Sequence, residues 1–188
     1  SERTGDELAA PPTALHAKDS KAGYNVTTPQ QAWVYWNTLQ HQRTAGEVFE
    51  IAMEHARRAV ERAKARTGQD IDVISFAELK SKQAYSLPKQ DASLNFPEQS
   101  RLATRALIES LGITRPTVVM GFGSIPYSAV SLRDESLRAT VSEAVQPFGL
   151  GSVNYFAGIS DMSFFGEASG DLSVVASNTP IWGTSFTL

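Results

Sequence analysis

The chain has 188 residues, enough for one substantial buried core or for one domain with an appendage. Apolar residues make up 41% and charged residues 20%, an ordinary balance for a globular protein in water. A net charge of -3 gives no electrostatic case for a nucleic-acid partner, and no apolar run reaches membrane-span length. Cysteine is absent, which removes disulfides, thiolate nucleophiles and thiolate metal sites together and, with no signal peptide visible, fits a cytoplasmic protein.

Residues 1–28 read as an extended leading segment. Pro11 and Pro12 forbid a helix there, and Pro29 pushes Thr28 toward extended geometry. Trp33, Val34, Tyr35, Trp36 and Thr38 predict a strand over 32–40. A helix follows, because Thr44 and Glu47 stand in capping-box spacing and Gly68 supplies a stop. Its inner face is predicted as Val48, Ile51, Ala52, His55, Ala59 and Ala63. Strands are expected over 71–76 and, more weakly, over 82–87, with a loop from Pro88 to Asn95. Pro97 opens a second helix that runs to Leu111, and Gly112 ends it. The apolar run 117–122 after Pro116 predicts a further strand.

The order strand–helix–strand–strand–helix–strand over 29–130 is that of a ferredoxin-like (βαββαβ) fold, an α+β arrangement. A third helix is expected over 134–146, burying Leu137, Val141, Val145 and Phe148, with Pro147 and Gly149 ending it. Residues 172–176 read as a strand, as do 183–188. Ser1 to Ala10 and the last six residues have the look of cut ends, so the chain reads as a fragment of a longer protein.

The three histidines, His16, His41 and His55, share no zinc-site spacing with each other or with Asp and Glu, so no metal site is expected. His55 falls on the first helix, His16 in the leading segment, and His41 three residues before the Thr44 cap. Gly121-Phe122-Gly123-Ser124 lacks the Lys and helix start of a phosphate loop and reads as a strand exit. Arg43 and Arg133 have the chemistry to clamp a carboxylate, but arginines beside helices and strands are normally solvated. In Gly158-Ile159-Ser160-Asp161 a flexible backbone adjoins a hydroxyl and a carboxylate, which is the chemistry of a ligand-contacting turn or simply of a turn. No His and Asp stand in triad spacing around Ser160, so it is not a nucleophile.

The stretch from Ala157 to Gly166 resembles the substrate-binding turn of the zinc-dependent aminoacylase and carboxypeptidase family, most closely its arginine-utilisation branch. Pro11-Pro12-Thr13-Ala14-Leu15-His16-Ala17-Lys18-Asp19, Tyr24-Asn25-Val26-Thr27-Thr28-Pro29 and Asn178-Thr179-Pro180-Ile181-Trp182-Gly183 resemble that branch in the same chain order. Typical members carry Gly-Gly-Thr-Ser-Asp at the turn; this chain keeps Gly158, Ser160 and Asp161, with Ala157 and Ile159 at the other positions.

The resemblance implies that 29–130 is a lid and dimerisation domain and that 131–188 is a truncated C-terminal part of an α/β catalytic domain. It implies a homodimer formed through the lid, with His41 reaching the partner's active site as an oxyanion donor and Gly158, Ser160 and Asp161 contacting a small-molecule or peptide substrate. The two zinc ions of such an enzyme would be held by residues that this chain lacks, so the intact protein would be a metal-dependent amidohydrolase and the fragment alone inactive. The alternative is a non-enzymatic ferredoxin-like module for dimerisation or small-molecule binding, since fold alone does not license catalysis.

Overall fold

The computed structural model describes residues 3–4, 7–8, 11–24, 26–38, 43–86, 89, 91–124, 135–150 and 172–181. The leading segment contains a short pair, β1 (Arg3–Thr4) and β2 (Glu7–Leu8), and then a longer hairpin. In that hairpin β3 (Thr13–Asp19) runs antiparallel to β4 (Ala32–Asn37), with a bulge between Ala14 and His16. Paired residues share a face, so His16 lies beside Tyr35, and their rings stack with centroids 5.6 Å apart. Trp33 and Tyr35 are half-buried, whereas Val34 and Trp36 on the other face are exposed.

Helix α1 (Ala45–Thr67) forms where the capping residues predicted it. Thr44 Oγ1 accepts from Glu47 N, the Glu47 carboxylate accepts from Thr44 N, and Gly68 closes the helix at φ 70°. That left-handed backbone suits a residue with no Cβ. The buried stripe is Phe49, Met53 and Val60, one position off the expected face. His55 and Ala59 are exposed. The larger side chains at 49 and 53 remove more apolar area from water than the alanines do, and they set the helix's rotation.

β5 (Asp72–Ser75) passes directly into α2 (Phe76–Lys80), a second capping-box helix built on Ser75 and Glu78. The strand expected over 82–87 does not form over its described part: Ser81 and Lys82 close the turn after α2, and Tyr85 is held by its side chain rather than by a ladder. α3 (Phe96–Ser110) starts at the Asn95 cap, with Pro97 in its first turn, and leads to β6 (Thr117–Met120). β5 and β6 pair in parallel, Ile74 opposite Val119 and Val73 opposite Val118. Ile74 and Val119 pack against a core of Phe76, Leu79 and Leu107. Side chains alternate along a strand, so Val73 and Val118 point away from that core, and α1 packs along both strands.

α4 (Glu135–Val145) and a short 3-10 turn (Gln146–Phe148) follow, with Val141 and Phe148 exposed rather than buried as expected. The strand expected over 172–176 is instead helix α5 (Leu172–Asn178), packed on α1 and α2. Val174 and Val175 favour a strand by propensity, but tertiary packing overrides it: Val175 is fully buried in the helical form.

The chain is thus a mixed α/β protein whose described strands form three two-stranded sheets. A ferredoxin-like order would join four strands in one antiparallel sheet; the described pairing is instead a parallel β5–α2–α3–β6 crossover plus a separate hairpin. The proposed division near Ser131 and the strand expected over 183–188 lie outside the described residues. No helix among the described residues is long and apolar enough to cross a membrane.

Leu79 is completely buried, while Leu102 on the outer side of α3 is 40% exposed. Leu79→Ala should lower unfolding free energy by about 2–5 kcal/mol in urea titrations. Leu102→Ala should cost at most about 1 kcal/mol by the same measurement.

Candidate functional site

In sheets of parallel strands, ligand crevices lie outside the carboxyl ends of the strands. In this chain that end is built from three segments distant in sequence: the β5–α2 junction, the exit of β6, and the end of α5. Ser75 is at once the last residue of β5 and the cap of α2. Its Oγ accepts from Glu78 N at 3.1 Å, and Glu78 Oε2 accepts from Ser75 N at 2.6 Å. The bond from the Ser75 backbone, and then that from its side chain, hold the Glu78 carboxyl below the usual carboxylate range; Arg57 and Lys82 add to this.

β6 leaves through Gly121, Phe122, Gly123 and Ser124, the strand exit expected. Phe122 stacks on Phe49 of α1 with ring centroids 5.3 Å apart. Its backbone N–H donates to the Asn178 carbonyl at 2.9 Å. Gly121 sits under the same residue: a Cβ there would stand 2.8 Å from Asn178 O and 3.2 Å from Phe76 Cβ. Only a residue without a side chain allows the end of α5 to approach the strand so closely.

Asn178 is the hub. Its Oδ1 accepts from Ala77 N at 3.0 Å, and its Nδ2 donates to Val174 O at 3.0 Å. Two residues on, the Pro180 carbonyl accepts from Tyr85 Oη at 2.7 Å. Burial pushes the Tyr85 hydroxyl pKa up, so the group stays a donor through neutral pH. Tyr85 also meets Phe76 edge-on at 5.6 Å. Thr179, Pro180 and Ile181 are buried behind this contact.

Of the residues picked out from sequence, His41, Gly158, Ser160, Asp161 and Arg133 lie outside the described residues. The described flank of His41, from Arg43 through the Thr44 cap, leads into the first turn of α1, where a Cβ at Gly46 would stand 3.9 Å from Val174 of α5. The start of α1 and the last helix are therefore neighbours. His16 on β3 and His55 on α1 belong to different elements, and among the described residues no group of three His, Asp or Glu stands together to hold a metal. The described side chains do not fit a zinc centre. At the amino ends of β5 and β6 lies an open cleft of about 340 Å³ whose rim carries Lys82, Asp72 and Arg115, the last two already paired at 3.1 Å.

Comparison with known proteins finds likeness in two Bacillus subtilis (strain 168) proteins. The uncharacterised protein YqjN is 25% identical over 222 residues, a match that takes in all of this chain and 41% of YqjN. RocB is 36% identical over 53 residues, 28% of this chain and 9% of RocB. The chain therefore spans less than half the length of either relative. No family model matches, and no solved structure does.

The lowered Glu78 pKa makes a pH prediction. A carboxylate stabilised in the folded state contributes fully above its ordinary value of 4.5 and loses that contribution as pH falls through the lower folded value. Thermal melts between pH 3 and 7, on the order of the range that carboxylates titrate, should show the acid loss of stability become shallower in Glu78→Gln. The same variant should melt lower than the parent at neutral pH.

Proposed function

We propose that the chain is part of a RocB-like amidohydrolase that cleaves an amide bond in an amino-acid derivative or small peptide, in arginine catabolism. The 53-residue likeness to RocB is the observation that carries this reading. The full-length likeness to the longer YqjN supports the idea that the chain works within a larger polypeptide. Two zinc ions, held by residues elsewhere in that polypeptide, would supply activated water. The part played by this chain's own residues is to bring the partner subunit's reach and the substrate contacts together.

In this reading residues 29–130 form a lid through which two copies pair. His41 donates a hydrogen bond to the oxyanion of the partner's substrate, a role suited to an imidazole N–H in a site closed to water. Gly158, Ser160 and Asp161 hold the substrate.

The test uses the intact protein loaded with zinc, with release of free amino acid from Nα-acetyl-L-arginine and from arginine-containing dipeptides as the assay. Light scattering should show a dimer. His41→Ala should cut turnover by about 10²–10³-fold, the usual weight of one oxyanion donor, with zinc content and melting temperature unchanged. No amide hydrolysis with any of these substrates by the zinc-replete dimer would favour a binding module instead.

A further inference from the structure

The Asn178-to-Gly183 stretch was singled out by its sequence, yet the proposed reaction assigns it no role. We propose that the Asn178 side chain is a positioning group: it fixes the segment from α5 to Ile181 against the carboxyl ends of β5 and β6.

Three observations carry this. The side chain is nearly buried and uses both ends, Oδ1 accepting from Ala77 N and Nδ2 donating to Val174 O. The Asn178–Ala77 bond joins residues 101 apart in sequence, so it fixes tertiary placement rather than local shape. The main chain of the same residue accepts from Phe122 N, and Gly121, having no Cβ, is what lets that carbonyl approach the strand exit so closely. One residue thus ties the first turn of α2, the exit of β6 and the end of α5. A side chain that could not accept from Ala77 would leave that N–H unpaired in a partly buried place, which favours retreat of the whole segment.

The inference goes beyond the proposed function and does not rest on it. Its test uses no substrate and stands apart from that reading. Hydrogen exchange resolved to single amides is measured on the intact protein and on Asn178→Ala. Loss of the Oδ1 acceptor must speed exchange at Ala77, by roughly 10-fold for a hydrogen bond of ordinary net strength.

The deciding amide is Phe122, whose acceptor is a backbone carbonyl that the substitution leaves in place. If Asn178 positions the segment, Phe122 also speeds up by about 10-fold, while Val60 in α1 stays slow. Asn178→Asp keeps an acceptor for Ala77 N and should restore most of the protection at both amides. Faster exchange at Ala77 with Phe122 unchanged would overturn the proposal. If Asn178→Ala unfolds the protein outright, Asn178→Asp decides: Phe122 exchanging as fast as in the unfolded chain while Val60 stays slow would equally overturn it.

Discussion

A parallel pair of four-residue strands has no stable existence in water, because both of its faces and its connecting crossover must be covered before its few hydrogen bonds contribute net stability. That requirement organises the described structure. Phe76, Leu79 and Leu107 cover Ile74 and Val119, while α1 lies along the same two strands. The crossover from β5 to β6 carries both α2 and α3, so the elements that connect the strands also bury them. The hairpin β3–β4 satisfies the requirement differently. Its Trp33 and Tyr35 face is half-buried, and Gly123 at the β6 exit lies close to Tyr35, about 4.0 Å from a Cβ placed on it.

What could be read from sequence was what depends on near neighbours in the chain. The Thr44 and Glu47 capping box marks the start of α1 because its hydrogen bonds are closed within four residues. Pro97 and Gly112 bracket α3 for the same reason: one residue fits the first helical turn, and the other takes the left-handed backbone that follows the last. The same logic was available for α2, where Ser75 and Glu78 repeat the Thr44 and Glu47 spacing. The apolar, β-branched run before Ser75 is a strand signal that overlaps the start of the five-residue helix.

The elements that could not be read depend on distant partners. α5 has seven residues, too few to be helical alone, and its valines prefer strands. It is helical because Val175 and Ile181 are buried against the rest of the chain and because Asn178 finds Ala77. Strand pairing is likewise nonlocal. The spacing of apolar residues could place strands near 72–75 and 117–120, but nothing in either strand says that the two run side by side and parallel. The ferredoxin-like order assumed a strand after Lys82. There the chain spends Tyr85 on a side-chain bond to Pro180 instead of on a ladder.

The candidate site shows the same division. His41 and the Gly158-Ile159-Ser160-Asp161 turn were found through likeness to other proteins, which reports residue type and order but not distance. Asn178 was in a stretch of equal likeness, and its chemistry gave no hint of function, since an asparagine at a helix end is ordinary. Its weight comes from geometry: a glycine opposite it, the half-buried Tyr85 bonded to the carbonyl two residues beyond, and the Ala77 amide donor 101 residues earlier. The carboxyl ends of β5 and β6 and the end of α5 are tied to one another by hydrogen bonds within the chain, and a site bordered by them would be preorganised rather than assembled on binding.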